Sequence, residues 1–182
     1  MLIMGKLFYI MGKSASGKDT IYQRLLRNPE FSLERLVIYT TRPIRDGELD
    51  GREDHFVTEE DFQKLKAEGK IIEDRGYETV YGLWRYFTAD NMNLEEKSYL
   101  GIGTLESYEK LKAYYGEEKI RPIYIEVEDG ERLKRAIARE ETQEAPKYEE
   151  MCRRFLADAQ DFSEEKIRQA GISHRFSNMD GA

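Results

Sequence analysis

The nine residues GKSASGKDT, Gly12 to Thr20, decide how the rest of the chain is read. They keep the spacing G-x-x-x-x-G-K at Gly12, Gly17 and Lys18. They follow the short apolar run KLFYIM (Lys6 to Met11) and precede a segment, Lys18 to Arg27, with Ile21, Leu25 and Leu26 at helical spacing. Where a strand, a glycine-rich turn and a helix follow one another, successive backbone N–H groups point inward. The helix N-terminus adds positive potential, so a polyphosphate binds there. The candidate phosphate-binding set is Gly12, Lys13, Ser14, Ala15, Ser16, Gly17, Lys18, Asp19 and Thr20, with Lys18 reaching the outer phosphates.

One position departs from the usual pattern. The residue after the lysine ordinarily offers a hydroxyl to Mg²⁺, but here it is Asp19, and the hydroxyl arrives one residue later as Thr20. Two readings stand side by side. Asp19 ligates magnesium directly or through water, or it faces away, favours the positive helix N-terminus and leaves Thr20 to bond a phosphate.

Working outward, the apolar runs LVIY (Leu36 to Tyr39), SYLGI (Ser98 to Ile102) and RPIYIEV (Arg121 to Val127) read as strands. They alternate with the helical patterns TLESYEKLKAYY and GERLKRAIAREE, which predicts a parallel sheet with helical crossovers on both faces. From about residue 40 to residue 87 the grammar changes to the turn RDGELDG, a short helix TEEDFQKLKAEG and hairpin-like pieces around Tyr77 to Tyr81, which reads as an insertion. EETQEAPK, Glu140 to Lys147, reads as a surface loop between two helices.

Composition narrows the classes of partner. The 182 residues suit one domain, and 36% charged beside 40% hydrophobic residues describe a water-soluble chain whose expected location is the cytoplasm. A formal charge of -7 argues against broad nucleic-acid affinity, and no apolar run is long enough to span a bilayer. The single Cys152 forms neither an internal disulfide nor a zinc site and reads as a buried thiol.

A second anion site is written in TTRPIRDGELDGREDHF, where Arg42 and Arg45 stand three residues apart beside Asp46, Gly47 and Gly51. Two guanidinium forks at that spacing converge on one small dianion, or they are a solvated surface pair. With the phosphate loop at this distance upstream, the sequence resembles the guanylate kinase family of nucleoside monophosphate kinases, from Lys6 to roughly Asn178. The resemblance implies a three-layer α/β fold of the P-loop NTPase type. It divides a single domain, 1–182, into a core (1–37, 88–130 and 148–182), a monophosphate-binding subdomain (about 38–87) and a lid (about 131–147). It implies ATP as donor, Mg²⁺ as cofactor and a nucleoside monophosphate, GMP foremost, as acceptor. Arg42 and Arg45 would clamp the acceptor phosphate with the hydroxyl of Tyr81, and Glu73 in KIIED would read guanine. A carboxylate accepts from guanine N1–H and N2–H₂, whereas adenine N1 would leave it unpaired. Arg135, Arg139 and Arg154 correspond to lid arginines that close over the phosphates being exchanged, and Asn178 to an asparagine touching the donor base.

The helix carrying RLKRAIARE sets Arg132, Arg135 and Arg139 on one face, opposite Leu133 and Ile137, which are expected to face the core. Several family positions are altered. Ile38 replaces a serine, Leu83 replaces a serine or threonine that bonds guanine, and Asp54 stands where a phosphate-binding tyrosine belongs. Gly101 and Gly103 replace the acidic residues of a D-x-D. If Gly101 removes a carboxylate from the metal shell, Asp19 would restore one. Three readings follow: a GMP kinase, a related kinase with another acceptor, and a catalytically weak module that binds a phosphorylated partner.

Overall fold

In the computed structural model, which describes residues 5–79 and 81–180, β1 (Leu7–Met11) runs through the middle of a five-stranded sheet. Its neighbours are β7 (Ser98–Ile102) and β8 (Ile120–Glu126), with β2 (Leu33–Arg35) beyond β7 and β9 (Arg175–Ser177) beyond β8. Every pairing is parallel. Parallel strands need helical crossovers, and the helices cover both faces. On one side Leu7, Tyr9 and Met11 pack with Leu105, Tyr108 and Leu111 of α3 (Leu105–Tyr115) and with Phe162 and Ile167. On the other, Ile10 packs with Tyr22 and Leu25 of α1 (Lys18–Arg27). The two-residue alternation of a strand divides the run LFYIM between two cores.

A second sheet, ordered β4 (His55–Phe56), β3 (Tyr39–Thr40), β6 (Gly82–Ala89), β5 (Ile71–Thr79), falls wholly between β2 and β7 in the chain. Its backbone is the antiparallel β5–β6 hairpin, covered by α2 (Glu59–Ala67). Thr58 caps α2 reciprocally with Asp61, and Phe62 drives its ring edge-on into Phe87 at 5.0 Å. The C-terminal part adds α4 (Asp129–Glu141), α5 (Tyr148–Asp161) and α6 (Glu164–Gln169). No helix among the described residues is long and apolar enough to cross a membrane.

Three sequence expectations are corrected. LVIY is not one strand: Leu36 N–H donates to Leu100 O at 2.9 Å in the first sheet, while Ile38 O accepts from His55 N–H at 2.8 Å in the second. The run changes partners midway and becomes the bridge between sheets. Cys152 is exposed on α5. On α4, Arg132 is the buried residue at 1% exposure and Ile137 lies outward at 37%, so the helix is turned relative to the expected face.

Candidate functional site

The loop after β1 is held by contacts from three later elements. Gly17 takes a left-handed φ of 81° as the cap of α1, and Ala15 takes φ 60°, a conformation that costs an L residue about 1 kcal/mol. Asp158 of α5 accepts from both the backbone N–H and the hydroxyl of Ser14. Arg132 of α4 donates to Ser14 O at 3.0 Å, to Asp158 at 3.2 Å and to Asp129 at 2.9 Å, and its guanidinium lies over Phe155. Asn178, just past β9, donates to Ser16 O at 2.9 Å. The Ser16 hydroxyl is buried inside the loop and has no partner among the described residues.

Lys18 opens α1, and its ammonium lies 3.5 Å from Asp19 Oδ2, whose side chain is 85% exposed. Thr20 is exposed as well. Among the described residues no three acidic, histidine or cysteine side chains converge as a cation site. Magnesium is ordinarily held by one or two carboxylates, by water and by the phosphates themselves. The exposed Asp19 carboxylate beside Lys18 fits that mode of holding.

Of the arginines expected to close over the phosphates, Arg135 is the most committed. It donates to Glu131 at 3.0 Å and to the carbonyls of Asn178 and Met179 at 3.0 and 2.7 Å. Arg139 is exposed and, among the described residues, its guanidinium makes no hydrogen bond. Arg154 is exposed on α5 and shares Glu150 with Arg153; the two guanidinium groups hold the Glu150 carboxyl down to about 2.

The second candidate anion site follows β3. Arg42 is 6% exposed and forms a two-pronged pair with Glu48, both bonds at 2.7 Å, and a third contact with Asp54 at 3.3 Å. Hydrogen bonding to Glu48 raises the Arg42 pKa. The reciprocal bond from Arg42, with the Arg45 N–H, lowers Glu48 to about 2. Asp54 is pushed the other way, upward, by burial. The Arg45 side chain is exposed and, among the described residues, bonds to no acidic group. Tyr81 stands at the hairpin tip, 81% exposed, with its ring parallel to Trp84 at 6.1 Å.

Glu73 is buried on β5, where its Oε1 accepts from Thr88 at 2.9 Å and its Oε2 lies 3.4 Å from Arg75 Nε. Burial, and next the charge of Glu73, raise the pKa of the Tyr9 phenol of β1. The same ring explains the two glycines of β7 and its exit. A Cβ on Gly101 would meet Tyr9 Cδ2 at 2.6 Å, and one on Gly103 would strike the Tyr9 hydroxyl. Tyr9 fills the room that side chains at both positions would need. Leu83 is 38% exposed on β6, and Ile38 lies half-buried in the bridge.

Sequence reasoning missed Arg132, Asp158, Glu48 and Tyr9. Glu48 stood in the quoted motif, three residues past Arg45, and the small pair at Gly101 and Gly103 pointed to a bulky neighbour. Asp158 carries no local signal.

Comparison with known proteins adds what geometry alone does not. The family model described as guanylate kinase matches residues 4–166. A guanylate kinase of Wolbachia pipientis wMel is 31% identical over 157 residues, 86% of this chain and 75% of that protein. Those of Schizosaccharomyces pombe and Vibrio parahaemolyticus are 39% and 35% identical, over 56% and 54% of this chain. These two alignments span 44% and 45% of the relatives' own length. The crystal structure of guanylate kinase from Anaplasma phagocytophilum superposes with a TM-score of 0.62 at 21% identity, covering 96% of this chain and 77% of that one. The likeness is one of fold.

Proposed function

Since the chain belongs to the guanylate kinase family, we propose that it transfers the γ-phosphoryl group of ATP to GMP, giving ADP and GDP. The observation that carries this reading is the coexistence of an intact phosphate loop ending in Lys18 with a buried carboxylate, Glu73, and the guanidinium groups of Arg42 and Arg45. The acceptor is an already ionised phosphate, so no general base is required. The chemistry is positioning and charge stabilisation of a loose transition state.

In this reading the loop amides and Lys18 hold the β- and γ-phosphates, Arg42 and Arg45 hold the acceptor phosphate, and Glu73 accepts from the guanine edge. Asp19 would be the residue that holds magnesium, which would supply charge neutralisation for the phosphates. Arg139 and Arg154, exposed on either side of residues 142–147, swing in to cover the transferring group, and Arg135 ties that segment to the exit of β9. Closure of residues 38–87 and 131–147 excludes water, which would otherwise consume ATP. In this reading the enzyme works on soluble nucleotides, and the cytoplasm is the compartment proposed for it.

One observation favours a second reading, a kinase of this family with another acceptor. Tyr9 feels the charge of Glu73, and Leu83 and Ile38 are apolar where hydroxyls would bond guanine. An assay of ADP release with ATP–Mg²⁺ against GMP, dGMP, AMP, CMP and UMP separates the two, with Lys18→Ala as the blank. The proposal expects GMP to give the highest kcat/KM. Turnover with another acceptor alone supports the second reading, and turnover with none overturns both in favour of a binding module.

A further inference from the structure

Arg42 has five N–H donors, and four are committed. Nη1 donates to Glu48 Oε2 at 2.7 Å and to Pro43 O at 3.0 Å, while Nη2 donates to Glu48 Oε1 at 2.7 Å and to Asp54 Oδ2 at 3.3 Å. The guanidinium also lies 5.1 Å from the centre of the Phe56 ring. A phosphate arriving here finds no terminal N–H of Arg42 until a carboxylate gives way.

The two carboxylates are unequal. Glu48 makes two short bonds to Arg42 and accepts the Arg45 N–H at 2.8 Å, so it is part of the frame. Asp54 makes one long contact and is partly buried. Formal charges of Arg42 and Arg45 cancel those of Glu48 and Asp54, so the empty cradle is neutral before a dianion enters. The charged groups facing Asp54 are Arg42 beyond β3, Glu48 and Glu53 in the turn, and His55 of β4. Tyr86 of β6 faces Arg42.

We propose that Asp54 makes acceptor binding proton-coupled: the phosphate displaces the Asp54 carboxylate from Arg42, and one proton is taken up and shared between Asp54 and the phosphate oxygens. The proposal rests on the acceptor-site reading above and deepens it. Two oxyanions forced together behave as a dyad that retains a proton. Burial already raises the Asp54 pKa before a second anion arrives. The sign follows: uptake of a proton on binding means that affinity for the dianion falls as pH rises.

Calorimetric titration of the full chain with GMP, in paired buffers of different ionisation enthalpy, counts the protons directly. Measurements from about pH 7 to about pH 8.5 lie above the phosphate's own second ionisation near 6. The wild type is expected to take up about one proton per GMP and to lose about tenfold in affinity per pH unit. Asp54→Asn and, as a second variant of different shape, Asp54→Tyr are expected to bind more tightly at the upper pH, with no proton uptake and a flat profile. Equal proton counts and equal slopes in all three proteins, or no uptake by the wild type, would overturn the inference and leave the acceptor assignment standing. Failure of all three to bind GMP would overturn both.

Discussion

The loop at Gly12–Thr20 and the turn at Arg42–Asp54 both gather positive charge for an anion, but from different materials. The first is main chain: glycine permits its tight turn, later elements brace it, and its Ser14 and Ser16 amides bond Asp158 and Lys13 O. Arg132, Asp158 and Asn178 reach Ser14 and Ser16 from α4, α5 and the exit of β9. The second is side chain, and it is occupied by its own carboxylates. In the loop the resident carboxylate, Asp158, engages only the Ser14 N–H and hydroxyl, whereas a guanidinium buried without a phosphate must find an anion for its whole charge, because an unpaired buried charge is prohibitively costly. In the proposed reading the donor loop therefore has little to release, a single amide held by Asp158, and the acceptor site must exchange one anion for another.

The largest effect is expected where the brace is broken. Arg132 is fully buried, and Arg132→Met would strand Asp158, with an expected loss of about 3–5 kcal/mol in urea denaturation. The double variant with Asp158→Leu should recover most of it. If the single variant were as stable as the wild type, the loop would not depend on its braces. Next in size is Lys18→Ala, which should fold normally by circular dichroism and lower turnover by about 100-fold to 1,000-fold.

The region between the two cradles comes third. Gly101→Asp should cost about 1–3 kcal/mol through overpacking against Tyr9, read as a lowered midpoint of thermal unfolding. Adding Tyr9→Val should restore it; no rescue would mean that Tyr9 does not set the size of residue 101. Smallest is Asp19→Asn. An exposed carboxylate is worth at most about 1 kcal/mol to a neighbouring charge, so losing its pull on magnesium should raise the KM for ATP at saturating Mg²⁺ by less than about fivefold. A rise far beyond that range would assign Asp19 a direct bond to the metal, and no change at all would remove it from the metal's surroundings.

What could be read from the sequence follows the same division. β1, the loop and α1 were legible because spacing alone sets them, and so was α2, whose Thr58 cap sits before its apolar residues. LVIY was misread because its change of partner, from Leu100 to His55, involves residues far away in the chain. The face of α4 was misread for a similar reason. Arg132 looks like a solvated cation until Ser14 and Asp158 come within reach of its guanidinium, and its burial turns Ile137 outward. Arg42 stood out in the sequence as a candidate anion binder, but no local pattern marks Glu48 and Asp54 as the carboxylates that pair with it. The empty D-x-D positions became intelligible only with Tyr9 lying across them.

The account depends on the two cradles sharing a single cleft. The direct test is the affinity of an adenosine and a guanosine joined by five phosphates, measured by calorimetry beside ATP and GMP. Two sites that face each other bind such a molecule at least about 100-fold more tightly than either nucleotide alone. Binding no tighter than ATP would mean that the sites do not meet across one phosphate chain.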